Sequence, residues 1–203
     1  ATHCENLTHF FPQNKAIRDI TIDLFFKGCN PKNACIHSEY LAHHYPQLIP
    51  QQIQLLKQTL KTFPGSLSIQ SLLAKLLIHE TMYSEGIFYL SQIYKESSNS
   101  EPVILPILKQ ALDSNPNQIL ALELLTDINL KNKEYDAVLL TLEKLIFLNI
   151  DSIPLYQKQC EAVRHEFPAL KNKANLLLIK SYAATQNEKL LLSVLSNLSH
   201  TDL

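Results

Sequence analysis

The sequence predicts an all-α fold assembled from a repeated unit, and three observations lead there. Pro12, Pro64, Pro116 and Pro168 stand 52 residues apart, and Pro50, Pro102 and Pro154 recur at the same interval. Glycine occurs 3 times and tryptophan not at all, which suits helices and opposes a many-turned β architecture. Superposing the copies also aligns their apolar residues. A fixed interval of this kind marks solenoids and arrays, in which each unit buries its apolar face against its neighbours.

Helix starts are expected near residues 13, 33 and 50, then 67, 84 and 102, then 118, 134 and 153, and finally 169 and 188, each set off by Pro, Gly, Asn, Asp or Ser. The expectation is an α-solenoid of about eleven antiparallel helices in one domain, residues 1–203. Its units are 12–63, 64–115, 116–167 and 168–203, and 1–11 is a tail or the remnant of a preceding unit. The prolines read as helix starts, because a missing N–H has no partner to lose in the first turn.

In the first helix of each unit Ile20, Leu72, Leu124 and Leu176 align, with Leu24, Leu76 and Ile128 one turn on. In the second, Cys35, Ile87, Leu139 and Leu191 align, followed by Leu90, Leu142 and Val194, with Ser38 the odd member. The third carries Leu56, Leu108 and Cys160, and extending that column backwards pairs Cys4 with Leu56.

Composition narrows the function. With 203 residues and 46% hydrophobic content the chain can bury a sizeable core. Lys plus Arg (18) nearly cancels Asp plus Glu (19), so nucleic acid is not an expected partner. The longest apolar runs fall far short of the roughly 20 residues a membrane span needs, so no membrane insertion is expected. Ala1 fits a removed signal peptide, a tag remnant or a fragment of something longer.

The stretch 67–100 resembles a tetratricopeptide repeat. Leu73 and Ala74 form the large-small pair of its first helix, Leu77 follows, Tyr83 holds the turn, and Gly86, Leu90 and Ile93 supply the second helix. The stretch 119–152 matches through Leu125, Tyr135, Leu142 and Leu145, with Thr126 and Val138 at the small positions. The family's period is about 34 residues, or two helices, whereas the interval here spans three; armadillo-like three-helix turns are the alternative. The resemblance implies a right-handed superhelix whose concave face holds a partner peptide or protein. The polar residues that the first helices would offer to it are Gln70, Lys75, His79, Glu123, Asp127, Lys131, Asn175 and Lys180.

Three of 4 cysteines and five of 8 histidines lie in the first 44 residues. Cys29 and Cys35 flank an expected inter-helix turn and are candidates for a disulfide, which requires Cα atoms about 4.4–6.8 Å apart and an oxidising compartment. Against the bridge, Cys35 and Cys160 fall in apolar columns, where a free thiol behaves as a small hydrophobe. A metal site from Cys29, Cys35 and His37 or His43 lacks the spacing of strong zinc motifs. His79-Glu80 lacks the second histidine of a zinc protease, and neither a catalytic constellation nor a cofactor motif is present in the sequence.

The leading expectation is therefore a non-enzymatic protein-protein interaction scaffold of the bacterial exported or envelope adaptor type. The alternatives are a recognition or regulatory domain of a longer enzyme or secretion component, and a cytoplasmic chaperone of the same repeat class.

Overall fold

The computed structural model describes residues 2–97 and 99–198. They form twelve α-helices and no strand: α1 (Thr2–Phe10), α2 (Lys15–Lys27), α3 (Pro31–His44), α4 (Ile49–Thr62), α5 (Leu67–His79), α6 (Tyr83–Glu96), α7 (Glu101–Ser114), α8 (Ile119–Lys131), α9 (Tyr135–Leu148), α10 (Ile153–Glu166), α11 (Lys171–Ala184) and α12 (Glu188–Leu198). The bounds of α2 to α4 return 52 residues later in α5 to α7, and again in α8 to α10. The twelfth helix, α1, lies in the stretch expected as the end of a third helix. No helix among the described residues is long and apolar enough to cross a membrane.

The two proline sets do different work. Pro50 and Pro154 sit in the first turns of α4 and α10, and Pro102 is the second residue of α7, as expected of helix starts. Pro12, Pro64 and Pro116 instead occupy the turns ahead of α2, α5 and α8, and Pro168 opens a 3-10 turn. Pro106 lies inside α7, where its missing N–H removes the bond that the carbonyl of Pro102 would accept.

The connections 28–30, 80–82, 132–134 and 185–187 close by one device. Cys29, Thr81, Lys133 and Gln186 take left-handed backbone angles, with φ of 55°, 60°, 59° and 54°. The N–H of the following residue reaches back to the helix, as Asn30 N–H to the Phe25 carbonyl (2.8 Å), Met82 to Leu77 (2.8 Å), Glu134 to Asn129 (2.9 Å) and Asn187 to Tyr182 (2.9 Å). This is the Schellman ending, whose left-handed position usually holds glycine and here holds Cys, Thr, Lys and Gln.

The chain packs as two compact units, Ala1–Gln110 and Ala111–Leu203, with the boundary inside α7. In the first, α1 packs on α2, α2 on α3, α4 on α5 and α5 on α6; α3 also packs beside α5, and a Lys57–Glu85 ion pair of 2.6 Å ties α4 to α6. Its core is built on Ile22, Phe25, Ala34 and Leu41 and on a larger cluster including Ile53, Leu56, Ile69, Leu73 and Leu77. In the second unit α8 packs on α9, α9 on α10, α10 on α11 and α11 on α12, while α9 packs beside α11. Its core runs from Leu122 through Leu142, Tyr156 and Cys160 to Leu178 and Val194. Within each unit most helices thus meet the next in sequence and some meet the helix two along, an arrangement of packed adjacent pairs consistent with an α-solenoid.

The expected columns hold in the second and third helices. Cys35, Ile87 and Leu139 are buried, as are Leu90, Leu142, Val194, Leu56, Leu108 and Cys160. Ser38, the odd member, is fully buried and donates to Gln52 Oε1 at 2.5 Å. The first-helix column is corrected: Leu72 and Leu124 are buried, but Ile20 and Leu176 are 55% and 53% exposed. The stripe buried in all four copies runs through positions 22, 74, 126 and 178 and through 18, 70, 122 and 174.

Candidate functional site

A concavity of the first unit lies along α3, α5 and α7. Asn30 caps α3, accepting from Asn33 N–H at 3.2 Å, and Pro31 opens the helix. The helical period then sends Cys35, Ser38, Leu41 and Ala42 inward and Ile36, Glu39 and His43 outward. Ser66 caps α5, which offers Ser68, Ser71, Lys75 and His79 at helical spacing; α7 adds Val103, Pro106, Ile107 and Gln110. Between them lie two adjoining cavities of about 410 and 420 Å³ that share Ile36, Glu39, Lys75 and Gln110.

An ion pair between Lys75 and Glu39 spans α5 and α3 at this junction. Ile36 stands 57% exposed beside it, an apolar anchor without a cover. Lys32 lies at one end, and His43, His44 and His79 line the other. The rings of His43 and His44 meet edge to face at 5.0 Å, and His44 stacks on Tyr40 at 3.8 Å. Glu39 is the groove's acidic group, with two lysines and three histidines around it.

A further cavity of about 360 Å³, sharing Ile36 and Tyr40 with the groove, opens beside α1, α2 and α3. Arg18 enters it almost fully buried. Its Nε donates to the Pro12 carbonyl at 2.8 Å, its Nη1 meets His37 Nδ1 at 3.0 Å, and its guanidinium carbon sits 3.4 Å from the centre of the Tyr40 ring. His37 stacks on Phe25 at 5.6 Å. Burial, followed by the Arg18 charge, lowers its pKa below the ordinary histidine value, so the neutral ring accepts at Nδ1 from the guanidinium and carries its own proton on Nε2.

The residues expected to line a binding face divide. Lys75 and His79 reach the α3–α5–α7 groove. Gln70 and Asn175 are a correction: both are buried, Gln70 donating from Nε2 to the Pro64 carbonyl at 3.0 Å, and Asn175 holding an Oδ1 with no hydrogen-bond partner. Glu123 accepts from the buried Tyr156 hydroxyl at 2.6 Å, and Lys180 pairs with Glu143 at 2.6 Å, so both tie helices of the second unit together. Asp127 and Lys131 lie exposed on α8. The sequence reading missed Ile36 and Glu39 because both belong to a second helix, while the family resemblance directs attention to first helices.

The Cys29–Cys35 bridge is also corrected. All four cysteines are free: Cys29 is exposed in the left-handed turn, and Cys35 points into the core. Burial, then the Glu39 charge, pushes the Cys35 thiol up to about 12, and burial with Glu161 does the same to Cys160. An oxidising compartment draws no support from this pair. Among the described residues no group of three His, Cys, Asp or Glu could hold a metal ion; His37 meets Arg18 and stacks on Phe25.

The fold defines the class: an all-helical protein of adjacent packed helix pairs. No family model matches the chain, and no curated protein matches it.

Proposed function

We propose that the chain is a non-enzymatic scaffold that binds a partner peptide in the α3–α5–α7 groove. The observation that carries this is the pairing of an exposed apolar anchor, Ile36, with a flanking set of Lys32, Lys75 and His79 around adjoining cavities. Peptide recognition combines a pocketed apolar side chain with polar contacts that set orientation. A segment presenting one aliphatic or aromatic side chain and a nearby carboxylate matches this lining, the carboxylate competing with Glu39 for Lys75. We read the recurring bounds of α2 to α10 as copies of a 52-residue unit stacked in the two-layered manner of tetratricopeptide arrays, which the packing of α3 beside α5 and of α9 beside α11 favours over three-helix turns. Right-handedness follows from the same reading.

The test is selection from a displayed peptide library, followed by amide chemical-shift mapping of the selected peptides. Binders should perturb α3, α5 and α7 and lose at least tenfold in affinity on Ile36→Asp or Lys75→Glu. Perturbation confined elsewhere, or affinity indifferent to both substitutions, sinks the proposal.

A further inference from the structure

Among the described residues Arg18 is a buried cation whose local duty is also performed without charge. Its Nε caps the Pro12 carbonyl, and at the equivalent place in the next copy Gln70 Nε2 caps the Pro64 carbonyl. The next two copies place Leu122 and Ala174 there, both buried. Holding the turn therefore requires no guanidinium. Yet Arg18 is only 7% exposed, and a buried charge is strongly unfavourable unless it is paired and hydrogen-bonded.

Its protein partners do not supply that pairing. They are a carbonyl, a neutral imidazole and an aromatic face, and among the described residues no carboxylate forms an ion pair with Arg18. The 360 Å³ cavity that Arg18 lines is walled by His9, Asn33, His37 and Tyr40, with Glu5 its only acidic lining residue. The lining thus gathers a fixed cation, an amide donor and two imidazoles around space for a small molecule.

We propose that this cavity binds a small soluble oxyanion, a carboxylate or phosphate group received by the free edge of the Arg18 guanidinium. The guanidinium fork matches both groups geometrically. Asn33 and His9 add donors, and stacking on Tyr40 holds the fork in plane. Glu5 is the built-in competitor. The cavity adjoins the peptide groove, since Ile36 and Tyr40 line both, but Lys75 lines only the groove and Arg18 only the cavity, so Lys75→Glu and Arg18→Gln separate the two sites.

The experiment is a titration of the whole chain with inorganic phosphate, acetate and succinate, each at constant ionic strength with chloride as the control, read by calorimetry and by Tm. The expected result is a saturable heat and a saturable rise in Tm, with phosphate or the carboxylates preferred according to which group the site takes. Arg18→Gln, which keeps a donor for Pro12 as Gln70 does for Pro64, should lose at least tenfold in affinity, and Glu5→Gln should gain about threefold. An equal response in wild type and Arg18→Gln, no response beyond chloride, or equal or weaker binding in Glu5→Gln would overturn the proposal. Should Arg18→Gln not fold, the Arg18 Nε–H and His37 ring resonances of the wild type decide: saturable shifts support the site, and unmoved signals overturn it.

Discussion

Gly86 lies so close to Ala74 that a Cβ built on it would stand 3.1 Å from the Ala74 carbonyl oxygen and 2.8 Å from Cγ1 of Ile78. The small-small pair brings α5 and α6 together at this point. The corresponding residues of α8 and α9 are Thr126 and Val138, and there the helices are joined differently: Thr126 Oγ1 donates to the Thr141 hydroxyl at 2.8 Å within the buried layer. Gly86→Val should destabilise the chain by about 1–3 kcal/mol through overpacking against backbone, while Val138→Ala should cost about 1 kcal/mol or more through a cavity. Urea unfolding of both checks this; a neutral Gly86→Val would refute the close approach.

Leu72→Ala and Leu124→Ala should each lose about 2–5 kcal/mol, since both side chains are buried. Leu176→Ala and Ile20→Ala, at the same helix position but more than half exposed, should stay within about 0.5 kcal/mol. Equal losses at all four positions would mean that the register of α2 and α11 is different from the one described.

Those four residues show what was legible. Helix spacing and most of the second- and third-helix columns follow from prolines and apolar periodicity, because those faces are largely apolar in each copy, Ser38 excepted, whereas α1 stands where the sequence promised only a tail or a remnant. The stripe buried throughout the first helices is not chemically uniform: it reads Ile22, Ala74, Thr126 and Leu178, beside Arg18, Gln70, Leu122 and Ala174. A hydrophobic pattern passes over such a stripe and settles on Ile20 and Leu176, apolar but outward. Gln70 tolerates burial because its polar end reaches a turn carbonyl, and Arg18 makes the same contact from its Nε, one that no spacing rule announces. The Cys29–Cys35 expectation failed on the direction of one side chain, Cys35 facing the core.

Thr81 is the sharpest case of left-handed backbone, a β-branched residue at φ 60°. Thr81→Gly should stabilise by about 0.5–1 kcal/mol, the relief of strain exceeding the entropy that glycine adds to the unfolded chain. Thr81→Pro should abolish the turn. Thermal unfolding distinguishes these, and destabilisation by glycine would contradict the backbone geometry.

Alkali should destabilise the fold. Cys35 and Cys160 are raised from 9.0 to about 12, and Tyr156 and Tyr182 from 10.0 to about 12, in each case first by burial. Below about pH 9 all four are neutral whether folded or not, and their contribution is present in full. As pH climbs, the unfolded chain sheds these protons first, so stability falls progressively toward pH 12. Urea midpoints between pH 8 and 11 should decline, and Cys29 should react with a thiol reagent at once while Cys35 and Cys160 wait on unfolding. A flat profile with four fast thiols would contradict the burial.

One position of the second helix stays apolar and uncovered in every copy: Ile36, Phe88, Leu140 and Leu192 are 57%, 55%, 66% and 65% exposed. Yet Ile36 rides on α3, which stacks beside α5, whereas Phe88 rides on α6, tied to α4. Equivalence in sequence is thus not equivalence in placement: within the first unit the same position stands on a helix beside α5 in one copy and on a helix tied to α4 in the next, so the outcome of a substitution at Ile36 is no guide to the outcome at Phe88.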